Sequence, residues 1–174
     1  MLGKVIRMPH LYTDLKTPWG NIAAVMRLED ETLVAAAFGN FSDLVAKAGH
    51  QLSHKPIKKV NRIPLLAQVT TDWIDGDAQA FSNLNVEQAG GEFSQSCWRA
   101  MRTIPYGEVI TYRELASMAQ SPKAVRAAGS ACANNLIAPY VPCHRIVKSG
   151  GALGNYGFGS ELKYELLVHE GVEF

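Results

Sequence analysis

The sequence predicts an α/β N-terminal domain over residues 1–88, a small sheet with helices. A mostly α C-terminal domain carrying a helix-turn-helix is predicted over 89–174. Three observations predict this. Apolar, strand-like runs cluster before Phe38, while helical spacing and capping signals crowd the chain beyond Ser94. Between the two, Asn83–Gly91 ends in Gly-Gly, as a linker does. The 174 residues, 47% of them hydrophobic, suffice for one sizeable core or two small ones.

Each element has its own signal. N-I-A-A-V-M-R-L and L-V-A-A-A-F flank the acidic turn E-D-E-T between Asn21 and Phe38, which predicts a β-hairpin. A short helix is expected over Asp43–Leu52. Pro64 opens a stronger one, with Leu65, Leu66, Val69, Trp73 and Ile74 at helical spacing and Gly76 to stop it. Ser94–Ile104 reads as helix and closes at P-Y-G. Thr111 and Glu114 form a capping box for a helix that ends near Gln120. Ser121 and Pro122 then supply an N-cap and a first-turn proline for K-A-V-R-A-A-G-S-A-C-A-N. Two short helices across a tight turn make the helix-turn-helix. The second helix is nearly all Ala, Gly and Ser, which suits close approach to another surface or equally tight core packing. The glycine-rich S-G-G-A-L-G-N-Y-G-F-G predicts a loop, and Ser160 is expected to cap a final helix that stops at Gly171.

Compartment and charge narrow the class. No apolar run is long enough to cross a bilayer, and no secretory signal pattern is present. Cys97, Cys132 and Cys143 contain no CxxC pair and leave an odd thiol in any disulfide scheme. A cytoplasmic location and no membrane partner are therefore expected. The net charge is only +1, but no Asp or Glu falls between Glu114 and Glu161, where Lys123, Arg126, Arg145 and Lys148 lie. A locally basic face suits an anionic partner such as a phosphate backbone.

The chemistry gathers in Y-V-P-C-H-R-I-V, Tyr140–Val147. Pro142 removes a backbone donor and argues against a regular central strand. Cys143 is a nucleophile only as thiolate. In an extended segment His144 points to the opposite face, so a relay through water with a carboxylate behind the imidazole fits better than direct contact. A buried inert cysteine beside a surface histidine is the alternative that the residues alone leave open. Haem attachment lacks its second cysteine, a zinc deaminase lacks PCxxC and HxE, and the papain signature is absent. Cys97 reads as a small core residue, and His10, His50 and His54 as solvated.

In order and spacing, I-P-Y-G-E-V-I-T-Y, K-A-V-R-A-A-G-S-A, V-P-C-H-R-I-V, G-N-Y and K-Y-E-L-L-V-H-E-G resemble the O(6)-alkylguanine-DNA alkyltransferases. The resemblance is strong from Phe93 to Gly171 and weaker before it. It implies direct-reversal repair: a nucleotide flipped from double-stranded DNA, bound through the minor groove, gives its O(6)-alkyl group irreversibly to Cys143. His144 matches the water-mediated base, Glu170 the carboxylate that orients it, and Asn135 the buried turn asparagine beside the nucleophile. Tyr112 matches the tyrosine that hydrogen-bonds the flipped base. Tyr156 and Gly157 match the lid that receives O(6), and the carbonyls of Cys143 and Ile146 would accept from the guanine amine. Cys132 and Ser149 join them as substrate-binding positions. Arg126 takes the finger position on the recognition helix, with Ala127, Ala128 and Gly129 as the close-approach surface and Lys123, Thr111 and Arg145 as further DNA contacts.

The resemblance implies no cofactor and a monomer. No metal is expected, because the zinc-site cysteines of some members are absent. Two positions depart from the pattern: Leu136 follows Asn135 where proline is usual, and Cys132 stands where a larger apolar residue often lines the pocket. The alternative is a non-catalytic alkylated-DNA binder, whose members resembling this domain carry Trp at the nucleophile position. A sequence-specific regulator is more distant, since the recognition helix has few base-reading side chains.

Overall fold

The computed structural model describes residues 9–174. The first eight residues of the unit expected over 1–88 lie outside the described residues. The expected hairpin is present, with β2 (Gly20–Arg27) and β3 (Thr32–Phe38) paired antiparallel. A further strand, β1 (His10–Thr17), pairs antiparallel with β2 through the two-residue loop Pro18-Trp19. Gly20 leaves that loop at φ +115°, a conformation that favours glycine. After α1 (Phe41–Ala48) and a 3₁₀ turn at Gly49–Gln51, β4 (Ile57–Lys59) adds parallel to β1. The sheet order is β3-β2-β1-β4. Asn40 and Asp43 cap α1 reciprocally, so that helix starts two residues before the expected one. Pro64 opens α2 (Pro64–Ile74) as its sequence predicts.

All seven residues of β3 are buried because both of its faces are covered. Leu33, Ala36 and Phe38 join the larger core, while Val34, Ala35 and Ala37 meet Leu44 and Ala48 of α1. Its outer edge is also closed. The Leu33 N–H donates to the Asn85 carbonyl (2.9 Å), the Ala36 N–H to Leu136 (2.8 Å), and the Ala138 N–H back to Ala36 (3.0 Å). An exposed strand edge is a template for pairing; here the chain just before Cys143 fills it.

The C-terminal half contains α3 (Glu92–Met101), β5 (Ile110–Thr111), α4 (Tyr112–Met118) and α5 (Val125–Ala133). A 3₁₀ turn at Cys143–Arg145, β6 (Ile146–Val147) and α6 (Ser160–His169) follow. β5 and β6 pair in parallel and join the start of the helix-turn-helix to the active turn. Thr111 and Glu114 form the expected capping box of α4. The larger buried cluster runs without a break from Leu15 and Trp73 to Trp98 and Leu166. Among the described residues no helix is long and apolar enough to cross a membrane.

Four local expectations are corrected. The helix α5, expected as the recognition helix, starts at Val125, after Ala124 and without a side-chain cap, rather than at Pro122. Ser121 is used to reverse the chain: its N–H returns to the Ala116 carbonyl and its own carbonyl takes the Ala124 N–H. Gly159, at φ +101°, precedes α6, and Ser160 is already its first helical residue. Cys143–Arg145 is a 3₁₀ turn and not extended, so the opposite-face rule for neighbouring side chains does not apply there. His10, at the start of β1, is buried rather than solvated, whereas His50 and His54 are exposed.

The Gly-Gly of the connecting segment has a packing role. A Cβ on Gly90 would collide with the Trp98 indole, which is buried and pinned by its Nε1 donating to the Ala131 carbonyl (2.9 Å). Gly91 has open space at the same place. Gly90→Ala should therefore cost roughly 1–3 kcal/mol as overpacking, melting roughly 3–10 °C lower, with Gly91→Ala as the tolerated control in the same thermal scan.

Candidate active site

Cys143 sits at the start of its 3₁₀ turn, buried, with its N–H donating to the Val141 carbonyl (2.9 Å). The Asn135 amide reaches it from the turn after α5: Nδ2 donates to the Cys143 Sγ (3.2 Å) and to the Val141 carbonyl (2.8 Å). Burial pushes the thiol pKa up, and the Asn135 hydrogen bond opposes that rise, helped by the positive charges of Lys47 and Lys163. Such a thiol is shielded from casual oxidants yet has a donor ready for the thiolate.

His144 is wholly buried and turned away from solvent. Its Nε2 meets the Glu170 Oε1 at 3.0 Å, and its Nδ1 has no protein partner among the described residues. A carboxylate can only accept, so Nε2 carries the hydrogen and Nδ1 keeps the basic lone pair. Glu170 lies just past the end of α6 and is held by three further donors: Trp73 Nε1 (3.1 Å), Arg145 Nη2 (2.9 Å) and Arg145 Nε (2.8 Å). Burial pushes this carboxyl pKa up, but His144 and Arg145 outweigh it and hold the group far below the ordinary carboxylate range.

Arg145 therefore does not face DNA. It is buried, forked onto Glu170, and donates through Nη1 to the Ile104 carbonyl (2.7 Å). Ala128, expected on the close-approach surface, is likewise fully buried in the core. Helical geometry turns it inward while leaving Arg126 and Ala127 outside, and Lys123, on the turn before the helix, is exposed. The helix of small residues thus packs one face into the core and leaves the other exposed.

A cavity of about 590 Å³ opens beside the thiol. Tyr112, Arg126, Cys132, Cys143, Tyr156 and Gly157 line it, together with Gly129 and Lys148. Burial raises the Tyr112 phenol to about 12, so it stays a donor at neutral pH. The Tyr156 hydroxyl is buried without a protein partner among the described residues. Thr111 is occupied with capping α4, and Ser149 lies on an exposed turn outside the cavity lining. The Ile146 carbonyl accepts from Lys163 Nζ (2.5 Å), and the Cys143 carbonyl from the Ile146 N–H, so each has one lone pair already used.

Three polar groups of the site carry no local sequence signal. Lys163 is fully buried on α6, its ammonium pulled down to about 8 by burial, with Cys143 and Cys132 opposing. Trp73 of α2 fits its helical apolar stripe, and nothing there marks its ring nitrogen as a partner of Glu170. Gln88, in the connecting segment, is buried against Asn135.

Comparison with known proteins agrees with this geometry. Residues 92–172 match the family model for the 6-O-methylguanine DNA methyltransferase DNA-binding domain. A constitutive methylated-DNA–protein-cysteine methyltransferase of Bacillus subtilis is 32% identical over 164 residues, covering 94% of this chain and 96% of that protein. The bifunctional transcriptional activator/DNA repair enzyme Ada of Escherichia coli is 46% identical over 87 residues. That match covers 50% of this chain but a quarter of Ada, and a Haemophilus influenzae methyltransferase is matched over 57% of its length. The crystal structure of Mycobacterium tuberculosis OGT in complex with DNA superposes with a TM-score of 0.78 at 26% identity, covering 92% and 93% of the two chains.

The Glu170 cluster makes a testable demand. Because the folded carboxyl pKa is depressed, its stabilisation is complete above the unfolded value near ~4.3 and is lost as pH falls toward the folded one. Glu170→Gln leaves Arg145 buried without its counter-charge and should cost about 3–5 kcal/mol at neutral pH. Denaturant unfolding at pH 7 and at low pH checks both points: the gap between wild type and variant should close as pH drops.

Proposed function

The chain belongs to the methylated-DNA–protein-cysteine methyltransferase family, and on that footing we propose that it repairs O(6)-alkylguanine in double-stranded DNA by direct, single-turnover alkyl transfer to Cys143. One observation carries the proposal: a buried thiol, hydrogen-bonded by Asn135, opens onto a cavity beside an exposed arginine on a helix of small residues. The target atom is inaccessible in a stacked duplex, so the nucleotide must leave the helix. Arg126 fills the space it vacates, while Ala127 and Gly129 let the helix approach the minor groove. Lys123 and Lys148 are exposed and suit phosphates.

In the cavity, the Cys143 thiolate attacks the alkyl carbon in line. The S–C bond forms as the C–O(6) bond breaks, and the electron pair leaves with the purine. His144, its Nδ1 basic because Nε2 is committed to Glu170, takes the thiol proton through water. The Tyr112 phenol donates to the base as charge develops on it, and Tyr156 with the Gly157 N–H forms the side that receives O(6). A thioether is a poor leaving group, so Cys143 is not regenerated. The chain acts as a monomer and needs no cofactor, since the alkyl group arrives on the substrate.

Duplex DNA labelled on an O(6)-methyl group tests the chemistry. Label should move to the wild-type chain and to the Cys97→Ser and Cys132→Ser variants. Cys143→Ser should bind the lesion but take no label in a denaturing gel. Binding without any label on wild type is the outcome expected of the non-catalytic reader.

A second measurement tests the DNA face. Affinity should fall with salt by about 0.9 log-log slope units per neutralised phosphate. Arg126→Ala should slow transfer from duplex DNA by at least about tenfold, a loss of roughly 1.4 kcal/mol, while leaving reaction with free O(6)-methylguanine nearly unchanged. Equal losses on both substrates would remove Arg126 from the finger role.

A further inference from the structure

The donor that Asn135 gives to Cys143 depends on which end of its amide faces the sulfur. Two main-chain groups of fixed polarity set it: Nδ2 donates to the Val141 carbonyl (2.8 Å), and Oδ1 accepts from the Ile137 N–H (3.1 Å). A third partner comes from outside the C-terminal helices. Gln88 Nε2 donates to the Asn135 Oδ1 (3.0 Å). Gln88 is fixed in turn, because its Oε1 accepts from the Leu136 N–H (2.7 Å). Neither amide can turn over without opposing two donors or two acceptors.

Gln88 is itself buried and clamped on both sides. Its carbonyl accepts from Gln95 Nε2 of α3 (2.6 Å), and the next residue's N–H donates to Gln51 Oε1 (2.9 Å). A glutamine with so many fixed partners in a connecting segment is more than a spacer. We propose that Gln88 is a positioning residue for alkyl transfer, locking and polarising the Asn135 amide so that its N–H stays on the Cys143 sulfur.

The physical basis is cooperative. A donor on the Asn135 oxygen draws density from its nitrogen, so Nδ2–H becomes the stronger donor to sulfur. A stronger donor favours thiolate over thiol. Other groups also act on this sulfur: Lys47 of α1 and Lys163 of α6 favour the thiolate, while Cys132, Tyr112 and Tyr156 face it across the cavity. Among the described residues Gln88 hydrogen-bonds none of these, and its link to Cys143 runs through Asn135. The role rests on Cys143 being the alkyl acceptor.

Two variants of the full chain test it, each read by two assays against pH. One assay is the rate of methyl transfer from O(6)-methylguanine duplex. The other is the rate of iodoacetamide modification at Cys143, located by peptide mass, which needs no DNA. Gln88→Met removes donor and acceptor at similar volume. It should slow transfer about tenfold and move the Cys143 alkylation midpoint up by about one pH unit, one unit being one decade in the thiolate equilibrium, with DNA affinity unchanged.

Gln88→Glu is isosteric and more telling. Burial raises a carboxyl pKa, so at lower pH the protonated side chain still offers Asn135 a donor and Leu136 an acceptor. Its transfer should match wild type near pH ~6 and fall progressively behind as pH rises and the carboxyl ionises. A Gln88→Glu profile parallel to wild type overturns the proposal. So does a loss of equal size at every pH with an unmoved alkylation midpoint, which is the mark of a packing defect. Should Gln88→Met not fold, the isosteric variant decides alone. Failure of the alkyl-acceptor reading looks different: wild type itself would carry no methyl on Cys143, and the iodoacetamide profiles would still judge the coupling.

Discussion

A single buried carboxylate fixes the architecture of this site. Glu170 sits in a place where an isolated charge would cost many kcal/mol, so it persists only because four N–H groups surround it. Those four come from two parts of the chain, Trp73 from α2 and His144 with Arg145 from the active turn, and they meet Glu170 at the end of α6. The cluster therefore does two things through one set of bonds. It staples the terminal helix and α2 to the turn that presents Cys143, and it fixes the His144 tautomer.

The other side of the thiol is held by backbone rather than charge. β3 would be an open edge, but Leu136–Ala138 pairs with it, and Asn85 and Glu87 pair further along. The segment leading to the nucleophile is thus built like a fifth strand of the N-terminal sheet. Asn135, at its head, inherits the precision of that pairing and passes it to the sulfur. Leu136 contributes through its N–H to Gln88, a bond that a proline at this position could not make. The departure from the expected Asn-Pro frees that N–H to bond. It supplies a different tether.

Much of this was legible in the sequence, for identifiable reasons. The hairpin, α2 and the capping box follow from alternation, helical spacing and side-chain chemistry, all local signals. The ordered motifs pointed to Cys143, His144, Asn135 and Glu170, and the structure brings these together. Side-chain signals failed where a backbone bond or a distant partner decided the outcome. Ser121-Pro122 has the chemistry of a helix start, but its backbone is needed to turn the chain, so α5 begins at Val125. Arg145 and Lys148 look alike in a basic run, yet only one has Glu170 across from it. Gln88, Trp73 and Lys163 were silent because nothing in their own neighbourhoods distinguishes a bonded polar atom from an ordinary linker, core or surface residue.

The basic window between Glu114 and Glu161 now divides by direction. Arg145 is buried and neutralised; Lys123, Arg126 and Lys148 are exposed and have no salt-bridge partner among the described residues. The acid that neutralises Arg145 comes from beyond the window in sequence and lies in the core in space. An acid placed inside the window could have paired Arg145 locally, but at the surface it would also have weakened the field that an anionic duplex meets. Supplying Glu170 from beyond the window satisfies the buried arginine while Lys123, Arg126 and Lys148 stay exposed in a stretch without acids. The carboxylate that fixes the His144 tautomer is thus also the counter-charge of Arg145.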